Sequence, residues 1–225
     1  MDGSNGVGAQ REVLQGDISG HVALASVSGP RNLYALGPAV GLRGEVSIFD
    51  SISSISRIID GTLRVERHFN VSACFLVFAQ VSAWRRLTSK GAIIEQPVLE
   101  DFIAKSASDL GFDVNRPFPF LIDATPAHAT FHVLDKRDGL PHTPELHEKA
   151  KVRLVLQRQP VEVIGFYSNR HRGIFTPADA NIHMHFRTQN GQLSGHLDKI
   201  QLQPGATFAF PRRRTSNEAE RTQRF

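Results

Sequence analysis

The chain has 225 residues, 40% of them hydrophobic and 21% charged, with one cysteine and 26 basic residues against 22 acidic ones. A chain of this size forms one large or two small domains whose core needs no disulfide staple, and no apolar run reaches the roughly eighteen residues of a membrane span. A disulfide scaffold and a helical membrane protein are excluded, and residues Met1 to Gly6 carry neither segment of a secretory leader, so a cytoplasmic, reducing setting is expected.

Residues 1–20 are rich in Gly, Gln and Asp without apolar periodicity and are expected to form a loosely ordered arm. Strand character begins at His21 to Val27 and returns at Glu45 to Phe49, Thr62 to Arg67 and the strongly apolar Ser72 to Trp84, with Asp60-Gly61 marking a turn. Cys74 lies within the last of these, between Ala73 and Phe75, where an inert buried thiol is expected. The pattern changes over Gln96 to Phe112: Pro97 suits a first helical turn, Val98, Leu99, Phe102, Ile103, Ala107 and Leu110 recur at helical spacing, and Gly111 is a stop.

Strand runs resume at Phe118 to Ala124, His128 to Leu134, Val152 to Leu156, Val161 to Tyr167, Ile182 to Thr188, Leu193 to Gln203 and Ala206 to Phe210. A short helix capped by Thr143, with Pro144 at its first position, is expected over 143–150. Roughly ten strands with one or two helices make the class α+β, predominantly β. The final stretch, 211–225, holds five arginines (Arg212, Arg213, Arg214, Arg221, Arg224) against two glutamates (Glu218, Glu220), which is most of the net charge of +4. The body is nearly neutral, so the basicity is assigned to a disordered tail and no nucleic-acid partner is expected.

The chemistry concentrates between Asn181 and Asp198. Asn190-Gly191 between two strand-like runs is a strong hairpin signal, since a type I′ turn needs positive φ at both central residues. A two-residue loop there opposes Gln189 to Gln192 and therefore His185 to His196. Opposed residues of an antiparallel pair share a face with Cβ atoms about 5 Å apart, and His183, two along from His185, shares it too. Three imidazoles on one patch offer the nitrogen ligands that Zn²⁺ or another divalent transition metal takes, with a position left for substrate or water.

The run Gly165-Phe166-Tyr167, then Pro177, His183-Met184-His185-Phe186 and Gly195-His196-Leu197-Asp198, resembles the C-terminal signature of the acetolactate decarboxylases, whose three histidines hold zinc. Upstream, Gly41-Leu42-Arg43-Gly44-Glu45 is similar to the family's Gly-Leu-Asp-Gly-Glu, and Phe118-Pro119-Phe120-Leu121-Ile122-Asp123 to the segment before its catalytic arginine. The likeness spans 21–210, with sub-sheets at about 21–135 and 150–210. It implies mixed sheets, one main helix and a histidine-bearing C-terminal hairpin. Three positions depart from the pattern: Arg43 replaces the aspartate, His132 falls where the arginine is expected, and the family's C-terminal glutamate has no match.

The resemblance implies a metal-dependent decarboxylase with ligands His183, His185 and His196. Such a site stabilises the enediolate left when a 2-hydroxy-3-oxo acid loses CO₂, a Lewis-acid role for the metal. Glu45 is then the proton donor and His132 a replacement for part of the arginine's function. His128, four residues before His132, is expected on the same strand face. The alternatives are an isomerase or lyase of the same fold acting on a different substrate, and a non-catalytic binding protein whose basic tail meets an acidic partner. The family likeness also implies a homodimer, and the expected ligand is a small oxo acid.

Overall fold

The computed structural model describes residues 4–212. In chain order its elements are β1 (Asn5–Val7), α1 (Gln10–Leu14), β2 (Val22–Ala23), α2 (Leu24–Val27), β3 (Leu33–Pro38), β4 (Glu45–Phe49), β5 (Ile52–Ile59), β6 (Thr62–Glu66), β7 (Ser72–Ala73), β8 (Leu76–Gln80) and β9 (Trp84–Thr88). Then follow α3 (Gln96–Asp109), β10 (Phe118–Ala124), β11 (His128–Leu134), α4 (Pro144–Ala150), β12 (Lys151–Leu156), β13 (Val161–Tyr167), β14 (Ile182–Thr188), β15 (Ser194–Gln201) and β16 (Thr207–Pro211). The class is α+β and mostly β, as the sequence pattern implies.

The strands form a six-stranded sheet, β1-β8-β3-β4-β5-β6, an eight-stranded sheet, β12-β11-β15-β14-β13-β10-β16-β9, and a small β2-β7 pair. The two large sheets stack face to face over a shared core in which Leu36, Phe49 and Val77 of one meet Leu121, Ile164 and Phe166 of the other. Helix α3 covers the opposite face of the eight-stranded sheet, with Leu99, Ile103 and Ala107 packed into the cluster that holds Phe120, Phe186 and Phe208. Strands buried on both faces lose the simple alternation of an exposed sheet. This is visible in β4, where every residue is buried.

Several expectations change. Residues 5–14 are not a loose arm: β1 pairs with β8 along Asn5–Val7, and α1 buries Val13. The arm's polar composition hid this because an edge strand needs only backbone pairing and one anchoring side chain. The division between sheets falls between β8 and β9 rather than after residue 135, since β10 and β11 belong to the eight-stranded sheet. The run from His21 divides into a two-residue strand and a helical turn, and Ser72 to Trp84 into three strands. β3 and β5 lie outside the strands expected from the sequence, and the turn that joins β4 to β5 uses Asp50-Ser51, both at positive φ without glycine. At the C-terminus, Pro211 ends β16 and the Arg212 N–H donates to Ala83 O; the rest of the expected basic tail lies outside the described residues.

Candidate metal centre

Every site residue comes from strands that the stacking of the two sheets brings together. In β14, Ile182, Met184 and Phe186 face the α3 layer, which turns His183, His185 and Arg187 toward the six-stranded sheet. In β4 the complementary alternation sends Val46 and Ile48 to the outer cluster and Glu45, Ser47 and Phe49 toward β14. The two strands meet residue by residue: the Arg187 guanidinium lies 4.5 Å from the Phe49 ring centroid, Ser47 Oγ lies 3.1 Å from His185 Nδ1, and Glu45 Oε2 lies 3.7 Å from His185 Nε2.

The register of the β14–β15 hairpin is the expected one, with His185 opposite His196. Its turn is longer. Thr188 N–H donates to Leu193 O across a four-residue loop, and Gly191 takes φ 70 while Asn190 keeps a negative φ. The Thr188 and Asn190 side chains bond to each other at 2.7 Å, closing the loop without a type I′ turn. The ring centroids of His183, His185 and His196 lie 4.9 to 5.2 Å apart, and one ligand nitrogen from each falls within 4.8 Å of the others.

These rings are held as metal ligands are held. His183 Nδ1 donates to Phe175 O at 3.2 Å, which fixes its tautomer and leaves Nε2 as a lone-pair nitrogen. Farther up the chain, both oxygens of Glu100 on α3 accept from Asn181, at 3.1 and 2.9 Å, fixing the entry to β14. Ser47 Oγ, itself 3.3 Å from Ser194 Oγ, holds His185 Nδ1. His185 Nε2 is buried with no hydrogen-bond partner among the described residues. A buried polar nitrogen without a partner is costly, and a divalent ion bound by the three rings would satisfy it, so the donor set fits such an ion.

Burial also sets the charge of the ligands. Desolvation brings His183 down to about 4 and drives His185 and His196 well below the usual imidazole range, with neighbouring histidines adding to the effect. All three are neutral at physiological pH, the form that binds metal.

Glu45 is placed by the turn before β4. Gly44 sits at φ 129, and a Cβ there would lie 2.4 Å from Ser56 O, so the turn requires glycine. Arg43 pairs with Asp135 at 3.3 Å and Lys136 N–H donates to Leu42 O, stapling the turn to the end of β11. The carboxyl group accepts from Leu134 N–H at 3.4 Å. Burial raises its proton affinity well above the ordinary carboxyl range.

His132 stacks on His196 at 4.5 Å between ring centroids and its Nδ1 bonds Asp198 Oδ1 at 2.8 Å. Asp198 reaches it through a β-bulge. The β11–β15 pairing steps from Phe131 opposite Leu197 to Thr130 opposite Lys199, so Asp198 has no opposite residue and its side chain is re-aimed. A cavity of about 230 Å³ opens beside these groups, and Glu45, His132, His183 and His196 all line it. The structure therefore gathers all five residues singled out from the sequence. Sequence reading missed Ser47 and Ser194, which carry no motif, Asp198, whose role depends on the bulge, and the cavity-lining His147 and Lys151. His128 is not among the cavity-lining residues.

No protein-family model and no curated protein sequence matches the chain. Among solved structures, α-acetolactate decarboxylase from Bacillus subtilis strain 168 superposes with a TM-score of 0.74 at 16% identity, covering 93% of this chain and 86% of that one. The enzyme from Bacillus subtilis subspecies spizizenii gives 0.74 at 15% identity, with 96% and 92% covered. A Staphylococcus aureus protein of unknown function, described as similar to α-acetolactate decarboxylase, gives 0.74 at 13% identity, with 93% and 85% covered. At such identities the likeness is one of fold.

Proposed function

We propose that this protein is a metal-dependent carboxy-lyase acting on a small 2-hydroxy-3-oxo acid of the acetolactate type. One observation carries the reading: three neutral imidazoles, those of His183 and His185 buried and that of His196 half-buried, converge beside a buried carboxyl group, on the fold of proteins named for that reaction. His183, His185 and His196 would hold the ion, which when bound supplies Lewis acidity toward the substrate's oxygens.

The chain's own residues supply the rest. Burial raises the proton affinity of Glu45, which suits it to return a proton to the carbon from which CO₂ departs. The Glu45 side chain is buried, which limits its proton exchange with bulk water. The Asp198 carboxylate orients His132 through Nδ1 and leaves Nε2 as the remaining polar atom of a ring that lines the cavity. In this role His132 binds and orients substrate.

Metal analysis of the purified chain and of His185→Ala tests the ligand set, with about one equivalent of zinc or a similar ion expected in the wild type and under about a tenth in the variant. Acetoin production from racemic acetolactate tests the reaction. A metal-loaded chain that forms no acetoin excludes decarboxylation of acetolactate. The second reading is an isomerase, favoured by the His132–Asp198 pair as another group able to handle a proton in the same cavity. It predicts a rearranged acid of unchanged mass in place of CO₂.

A further inference from the structure

The charge around the cavity is unbalanced in a way that points to how an anionic ligand is held. Three carboxyl groups line it, Glu45, Asp179 and Asp198, and among the described residues one permanently cationic side chain does, Lys151. Asp198 is occupied by His132, Glu45 accepts from the Leu134 N–H, and Asp179 is exposed at the rim. Lys151 opens β12 directly opposite Leu134, the residue whose N–H holds Glu45. Lys151, Leu134 and Glu45 thus line the same cavity, beside His147.

The present partner of Lys151 is exchangeable. Its Nζ lies 2.9 Å from Glu148 Oε2, but the Glu148 side chain is 58% exposed and that of Lys151 only 22%. Surface pairs of this kind hold their partners weakly. Glu148 also pairs with Arg153, so it keeps a cation when Lys151 turns inward. Next to it, His147 bonds His142 at 3.2 Å and adds polar lining without a second charge.

We propose that Lys151 is the binding residue for the substrate's carboxylate, and that the cavity selects small monocarboxylates because one cation is available there. The substrate assignment rests on the lyase reading; the carboxylate site does not. A ligand seated in this way places its carboxylate toward β12 and its hydroxyl and keto oxygens toward the three histidines.

Calorimetric titration in the presence of zinc, with 2-hydroxyisobutyrate and its neutral amide, tests the assignment. The wild type is expected to bind the acid about tenfold more tightly than the amide, Lys151→Met to bind both at the amide's level, and Lys151→Arg to keep most of the preference. Glu148→Gln is expected to bind the acid at least as tightly as the wild type. Equal affinity for acid and amide in the wild type, no binding of the acid at all, or an unchanged preference in Lys151→Met would each overturn the proposal. An equal loss in Glu148→Gln would do so too, because it would trace the effect to the α4–β12 junction. Should Lys151→Met fail to fold by circular dichroism, Lys151→Gln against Lys151→Arg makes the same comparison. Acetolactate turnover is read separately: Lys151-dependent acid binding without turnover sinks the lyase reading and keeps the carboxylate site.

Discussion

Glu45 and His185 lie 3.7 Å apart with both side chains out of water. Desolvation moves their proton affinities in opposite directions, up for the acid and down for the base, so burial favours the neutral form of each. Glu45→Gln preserves shape and hydrogen-bonding capacity but has no acidic proton. It should keep its metal content and lose about 10²- to 10⁴-fold in kcat, measured by metal analysis and acetoin assay on one preparation. His147 provides the pH signature. Burial lowers it from 6.5 to about 4, so between those values the unfolded chain binds a proton that the folded chain does not. The corresponding stability is present above pH 6.5 and is lost as pH falls toward 4, by about 3 kcal/mol for a shift of this size. Urea midpoints at pH 7.5 and 4.5 should fall further in the wild type than in His147→Asn. Parallel midpoints would remove His147 from the account.

At the level of elements, the hairpin was the most legible part of the chain. Alternation in Ile182 to Thr188 fixed which face the histidines share, and Asn190-Gly191 fixed the register even though the loop contains four residues. A four-residue loop keeps the same strand partners as a two-residue loop with the same centre, which is why the pairing came out correctly from the wrong turn. The Asp198 bulge could not be read, because an inserted residue on β15 appears only in its pairing with β11. The turn before β4 supplies a prediction of its own. Gly44→Ala must move Ser56 O or shift the start of β4. It should cost about 1–3 kcal/mol of stability and lower turnover through the displaced Glu45 while leaving zinc stoichiometry unchanged, as read by chemical denaturation and metal analysis.

At the scale of the whole molecule, the site exists because two sheets stack. Glu45 belongs to one and the histidines to the other, and no periodicity in the sequence states which strands of different sheets meet. The resemblance of Gly41 to Glu45 to a family motif points to Glu45; its distance to His185 is set by the packing of the two sheets. Residues 5–14 depart from their polar composition for a similar reason, since β1 adds backbone pairing at a sheet edge and Gln10 and Val13 contribute to the wall of the cavity. Deleting residues 1–14 should leave a folded chain by circular dichroism, yet one that loses metal to a chelator faster and binds small acids more weakly. Unchanged chelation kinetics would show that α1 does not shield the centre.

All three candidate ligands lie on one hairpin, within 183–196, whereas Glu45 and His132 arrive from distant parts of the chain. A metal can therefore be captured by a nascent or partly unfolded polypeptide before the sheets dock, because only one short loop has to close. Affinity for the unfolded chain subtracts from the stabilisation that metal confers on the native state. Zinc should raise the melting temperature less than its native affinity alone requires, and metal content by itself would not report how many molecules in a preparation are competent.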